Sequence, residues 1–213
     1  PKIEMSSESD IRDIVTRLLP AAQPMPDASD LVADFVISDV GNAVPVPAAV
    51  LIALVKRGMG YNVLYTERAT ALRKHSGQVA FPGGRIDPED QDAAYAALRE
   101  ANEEVALHRD DAEILGYMPY YYTGTNYFIT PVVAIVDPRG PFVPNPGEVD
   151  DVFEVPLETL IDEKSYSTFR AVYRGLERKS WQIDHDGHRI WGITANLTRR
   201  FRDSVLTEPR NES

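Results

Sequence analysis

Val79-Ala80-Phe81-Pro82-Gly83-Gly84-Arg85-Ile86-Asp87-Pro88-Glu89-Asp90 leads into a run whose core is Arg99-Glu100-Ala101-Asn102-Glu103-Glu104. The opening triplet predicts a short strand closed by a chain-breaking Pro-Gly-Gly, whose glycines let the backbone approach a ligand closely. Residues 92–107 predict the clearest helix of the chain, because they are rich in Ala, Leu and Glu, lack Gly and Pro, and start behind acidic residues. On that helix Glu100 and Glu104 stand one turn apart, with Glu103 beside them, and three close carboxylates repel one another unless a cation intervenes. Hard oxygen donors at this spacing suit Mg2+ or Mn2+. Arg99 is expected to pair with Glu103 at i,i+4, leaving the other acids for metal. A plain solvated acidic face is the competing reading. It does not account for the Gly-rich turn and acidic loop that precede the helix.

Working outward, residues 48–55 form an almost continuous apolar run and predict a strand, which turns through Gly58, Gly60 and Asn62 into a partner over 61–66. Upstream, 6–22 predicts a short amphipathic helix ended by Pro20, and 21–47 an irregular approach with one short strand at 35–37. Downstream, strands are expected over 113–122 and 127–136, a Pro-rich loop over 137–147, a strand over 152–155 and a helical turn over 156–162. Asp186-Gly187 marks a hairpin between 181–185 and 189–192, and 194–206 a closing helix. The expected organisation is one mixed α/β domain over 48–206, an N-terminal helix and irregular extension over 1–47, and a tail over 207–213.

Composition narrows the function. Of 213 residues, 43% are hydrophobic and 26% charged, which excludes wholesale disorder and fibrous repeats. Twenty-two basic against 33 acidic residues leave a net charge of −11, which argues against a nucleic-acid or anionic-membrane partner. A phosphorylated small molecule is still admitted if a cation lies between. With no cysteine, thiolate chemistry and Cys-based metal sites are excluded. No secretory or membrane-spanning pattern is visible, and the expectation is a cytoplasmic protein.

Residues 84–107 resemble the Nudix box, with Gly84 as its opening glycine and Arg99-Glu100…Glu103-Glu104 as its core. Asp90 stands where the box has Glu, eight residues rather than seven separate it from Arg99, and Ala106 replaces the closing glycine. Leu64-Tyr65-Thr66-Glu67-Arg68-Ala69, Leu72-Arg73, Gly77 and Phe81-Pro82-Gly83-Gly84 are similar to the signature of the coenzyme A pyrophosphatase subgroup, in which the longer gap is common.

That resemblance implies an α/β/α sandwich and metal-dependent cleavage of coenzyme A, or its thioesters or disulfide, to 3′,5′-ADP and 4′-phosphopantetheine. It implies Glu100, Glu103 and Glu104 as metal ligands with the Gly84 carbonyl, and one glutamate orienting or deprotonating water. Glu148, beyond the box, is the candidate extra ligand or general base. Arg68, Arg73, Arg85 and Gly83 are the candidate substrate-binding residues. His75 is left outside the catalytic set, and Tyr120, Tyr121, Tyr122 and Tyr127 are either adenine-stacking groups or core. A homodimer is admitted without a residue to argue it. The rivals are another Nudix activity, on ADP-ribose or a dinucleotide, and a non-catalytic nucleotide-binding domain.

Overall fold

A computed structural model describes residues 8–25, 44–70, 77–173 and 176–206. In chain order the elements are α1 (Glu8–Val15), β1 (Val46–Arg57), β2 (Gly60–Arg68), β3 (Val79–Ala80), β4 (Gly83–Arg85) and α2 (Ala93–Val105). They continue with β5 (Ala112–Tyr117), β6 (Tyr121–Tyr122), β7 (Tyr127–Val136), β8 (Val149–Pro156) and α3 (Leu157–Ile161). β9 (Tyr166–Tyr173), β10 (Leu176–His185), β11 (His188–Trp191) and α4 (Ile193–Leu206) close the chain.

The apolar run of β1 is continuous because both of its faces are covered. Ala49, Leu51, Ala53 and Val55 meet the alanine face of α2, while Ile52 and Leu54 join the cluster under α1, α3 and α4. β1 pairs in parallel with β7 from Val46 to Val55 and antiparallel with β2, in an eight-stranded mixed sheet of order β3-β2-β1-β7-β5. β4, β6 and β8 attach to β1, β7 and β2 respectively. A second sheet, β11-β10-β9, follows. The expected mixed α/β architecture, with helices on both faces of the large sheet, is what the chain adopts.

Several local expectations change. Pro82-Gly83-Gly84 does not break the chain: Gly83–Arg85 adds a strand to β1, in register with Ala48–Val50, and Leu51 N–H donates to Pro82 O at 2.8 Å. A side chain at Gly83 would collide with the Ala49 carbonyl, so only glycine permits this pairing (φ 157°). The N-terminal helix ends at Val15, because Leu19 leaves helical geometry to bridge Tyr117. The strand expected over 113–122 is two, β5 and β6, both on β7. The strand pairing over 166–173 and 176–180 was not expected, because those residues have neither a continuous apolar run nor clean alternation. The expected strand at 35–37, the tail 207–213, Arg73 and His75 lie outside the described residues. Among the described residues no helix is long and apolar enough to cross a membrane.

α2 is capped at both ends. Asp92 accepts from Tyr95 N–H at 2.7 Å. Ala106 adopts the left-handed conformation (φ 57°, ψ 30°), and Leu107 N–H closes back on Ala101 O at 3.3 Å. This is where the Nudix box carries glycine, and alanine here costs about 1 kcal/mol in backbone strain. Ala106→Gly is therefore expected to stabilise the fold by about 1 kcal/mol in urea unfolding, with activity unchanged; an unaltered midpoint would refute the strain.

Candidate active site

α2 reaches its position through small side chains. Ala93, Ala94, Ala96, Ala97 and Ala101 are all buried against the sheet, so the helix lies close to β1 and β4. The close approach brings Glu100 and Glu104 onto the two glycines of β4. A Cβ on Gly84 would lie 2.5 Å from the Glu100 carboxyl carbon, so the carboxylate fills the space glycine leaves. Gly83 N–H donates to Glu104 at 3.3 Å.

Glu104 is 3% exposed, and burial raises its pKa to about 8; Glu100 and Glu148 push the same way, while Gly83 N–H and Arg68 oppose. Glu100, half-buried, is also raised, first by desolvation and against the pull of Arg99. Glu103 differs from both. Its side chain is 48% exposed, it approaches Arg99 at 3.5 Å, and it does not line the cleft.

Glu148 reaches the cleft from the far side of the chain. Asn145 N–H is tied to Glu104 O at 2.8 Å and Val143 N–H to Val105 O at 3.0 Å, which lays the 137–148 loop along the end of α2. Asn145 Nδ2 donates to the Glu148 carboxylate at 3.4 Å, and Ala69 N–H donates to Glu148 O at 2.9 Å. Arg68, at a register shift where β2 meets β8, brings Nη1 to 3.9 Å from Glu104. Its buried Nε has no hydrogen-bond partner among the described residues. Arg68, Gly83, Gly84, Arg85, Glu100, Glu104 and Glu148 all line one cleft of about 400 Å³. Arg85 lies on its exposed side, Nη2 donating to Tyr127 Oη at 3.3 Å. Of the four tyrosines considered for stacking, only Tyr127 lines the cleft; Tyr121 and Tyr122 are buried, and Tyr120 donates to the Pro24 carbonyl.

The expected i,i+4 pair of Arg99 with Glu103 is present at 3.5 Å, but it is not the principal contact of Arg99. Its guanidinium grips Asp90 through two 2.9 Å bonds and donates to Glu100 at 2.9 Å and to Arg85 O at 3.1 Å, with Glu103 and Asp87 farther off at 3.5 Å. Asp90 also accepts from Asp87 N–H at 2.8 Å, and Arg99 holds its carboxyl below the usual range. The extra residue in the gap does not remove this acid from the site. Asp90 fixes the arginine that holds Glu100.

Residues 45–175 match the NUDIX domain model. This chain belongs to the Nudix family. NudL, an uncharacterized Nudix hydrolase of Salmonella paratyphi B, is 40% identical over 162 residues, covering 76% of this chain and 84% of NudL. The NudL of Salmonella enteritidis matches to the same extent. Among solved structures, the Nudix hydrolase RenU of M. smegmatis superposes with a TM-score of 0.52 at 19% identity, over 78% of this chain and 89% of RenU, a likeness of fold.

Nudix hydrolases generally use divalent metal ions, and the donors here fit one in kind. They are oxygen-only and mutually repelling, and one of them, Glu104, is an enclosed acid that an adjoining cation would ionise. Among the described residues no three acidic or histidine side chains yet converge on one point. Arg99 holds Glu100 to one side, and Arg68 stands over Glu104.

Proposed function

We propose that this Nudix protein hydrolyses the pyrophosphate of coenzyme A or its derivatives, giving 3′,5′-ADP and 4′-phosphopantetheine, with Mg2+ or Mn2+. The observation that carries the reading is the meeting of Glu100, Glu104 and Glu148 with Arg68 of the subgroup signature in one cleft. Glu100, Glu104 and the Gly84 carbonyl would hold the ion, with Glu103 as the solvent-side member and Glu148 as the general base. Bound there, a divalent cation would supply positive charge to the diphosphate and lower the pKa of the attacking water. Glu148, steadied by Asn145, would take the proton of the attacking water as the water oxygen adds to phosphorus and the P–O–P bond opens, the bridging oxygen leaving with the other phosphate. Gly83 and Gly84, having no side chains, let the backbone lie close to the diphosphate. Arg68 and Arg85 offer guanidinium groups to its oxygens, which the net charge of −11 would otherwise repel.

The test is a substrate panel of coenzyme A, ADP-ribose and a dinucleoside polyphosphate, with each metal and with products identified. Release of 3′,5′-ADP from coenzyme A with the highest kcat/KM supports the reading; AMP from ADP-ribose at far higher efficiency removes it. Arg68→Ala should raise KM for coenzyme A by about tenfold with a smaller fall in kcat, since it deletes one charge-assisted contact worth about 1.5–3 kcal/mol. An equal change for a diphosphate lacking pantetheine and 3′-phosphate would make Arg68 scaffold.

A further inference from the structure

The lining of the cleft is of two kinds. Against the carboxylates and arginines stands an apolar wall of Val79, Phe81, Ile129, Ile193 and Leu197. Val79, Phe81, Ile129 and Leu197 belong to one packed cluster and are nearly inaccessible, whereas Ile193 keeps 37% of its surface exposed. Ile193 and Leu197 are one turn apart on α4, so they share a helix face. The wall is held rigidly. Thr194 Oγ1 donates to Val79 O at 2.9 Å, Thr198 Oγ1 donates to Thr194 O at 2.8 Å, and Thr198 also shares a 2.9 Å bond with Tyr65 Oη. These bonds pin the first turns of α4 to β3 and β2. The charged residues lining the cleft, Arg68, Arg85, Glu100, Glu104 and Glu148, all lie off α4.

We infer that the first two turns of α4 determine specificity, with Ile193, backed by the buried Leu197, receiving an uncharged, extended arm carried on the phosphate distal to the nucleoside. The inference rests on the diphosphatase reading and adds which arm the cleft selects and through which residues. A second nucleoside would want an open ring face on which to stack its base. The wall offers aliphatic surface and one buried phenylalanine, and the only other ring lining the described cleft, Tyr127, has Arg85 over it at 5.8 Å. An extended chain gains from such a wall in proportion to the methylenes it buries.

The test uses methyl, butyl and octyl esters of the β-phosphate of ADP as substrates. Their methylene-bridged, non-hydrolysable analogues serve as ligands in calorimetry. For the wild type, kcat/KM and affinity should rise by up to about fourfold per seated methylene. Ile193→Asp should flatten both series, with a loss of roughly tenfold or more for the octyl compound. Ile193→Ala should lie between. The aspartate sits at an exposed helix start where a carboxylate is favourable, so the variant is expected to fold. A wild-type series independent of chain length, or one whose slope survives in Ile193→Asp, overturns the inference. If coenzyme A is cleaved to 3′,5′-ADP while the slope is absent, the specificity wall alone fails. If the slope is present while coenzyme A is untouched, the coenzyme A reading fails and the wall stands. No turnover of any ester, with no binding of the analogues, removes both.

Discussion

Glu104→Gln is expected to lower kcat/KM by about three orders of magnitude while making the metal-free protein more stable at pH 8. Both effects come from one enclosed carboxyl group. An amide keeps the shape and the bond from Gly83 N–H but cannot supply the negative charge that a divalent cation needs. Its effect on stability follows from the raised pKa. Glu104 titrates near 8 when folded against an ordinary value of 4.5, so between those limits the folded chain holds a proton that the unfolded chain has lost. Stability from this group is therefore fully present below pH 4.5 and falls as pH rises towards 8, by on the order of 3–5 kcal/mol. Urea unfolding in chelator at pH 5 and pH 8 checks the sign: the wild type should lose stability across the window, and Glu104→Gln should lose much less. Adding Mg2+ or Mn2+ at pH 8 should restore the wild type and leave the variant little changed. A variant with the wild-type pH slope would show that Glu104 is not the group responsible. A variant with near-normal turnover would end its assignment as a metal ligand.

Arg99→Ala should cost about 3 kcal/mol of folding stability and at least tenfold in turnover. The guanidinium is the joint between the β4–α2 loop and the helix, serving Asp90, Glu100 and the Arg85 carbonyl at once. Removing it leaves the Asp90 side chain, 2% exposed, enclosed without its counter-charge. It also frees Glu100 from the contact that orients it. Arg99→Lys should recover less than half of the loss, because a single ammonium cannot reproduce a bidentate grip together with two further bonds. Asp90→Ala should be almost as damaging alone and add little to Arg99→Ala, since both break one network. Denaturant midpoints for the wild type, the three single variants and the Asp90→Ala/Arg99→Ala double variant decide it, and additive losses would mean that the two residues act separately.

Much of the fold was legible because its signals are local. The apolar run over 48–55 and the Ala-rich helix over 92–107 each declare their burial in their own residues. β4 was hidden because Pro-Gly-Gly is a chain-breaker by propensity, and only the carbonyl of Ala49 pressed against Gly83 explains why glycine continues a strand there. β9 and the first half of β10 were hidden because their pairing partner is each other rather than a patterned core face.

The site divides in the same way. Glu100, Glu103 and Glu104 are equivalent in sequence, three acids on one helical turn, and spacing alone does not rank them. The sheet ranks them: the faces of α2 that pack on β1 and β4 carry Glu104 inward and Glu100 to the glycines, and leave Glu103 half in solvent. Asp90 offered no sign in sequence that it, rather than Glu103, is the principal partner of Arg99. Glu148 was a candidate from its loop, yet its nearness to α2 depends on backbone bonds from Asn145 and Val143 to the helix end. The wall of Ile193 and Leu197 lies more than 90 residues downstream of Glu100 in the same cleft, and no local pattern joins the two.

The chain by itself determined its elements of strongest pattern, its acidic helix, its family resemblance and the kind of ion such oxygens suit, because these follow from neighbouring residues and their spacing. Tertiary structure alone decided which acids are enclosed, which arginine holds which carboxylate, and what faces them across the cleft. Burial and charge pairing depend on residues far apart in sequence, brought together only when α2 and α4 pack on opposite faces of one sheet.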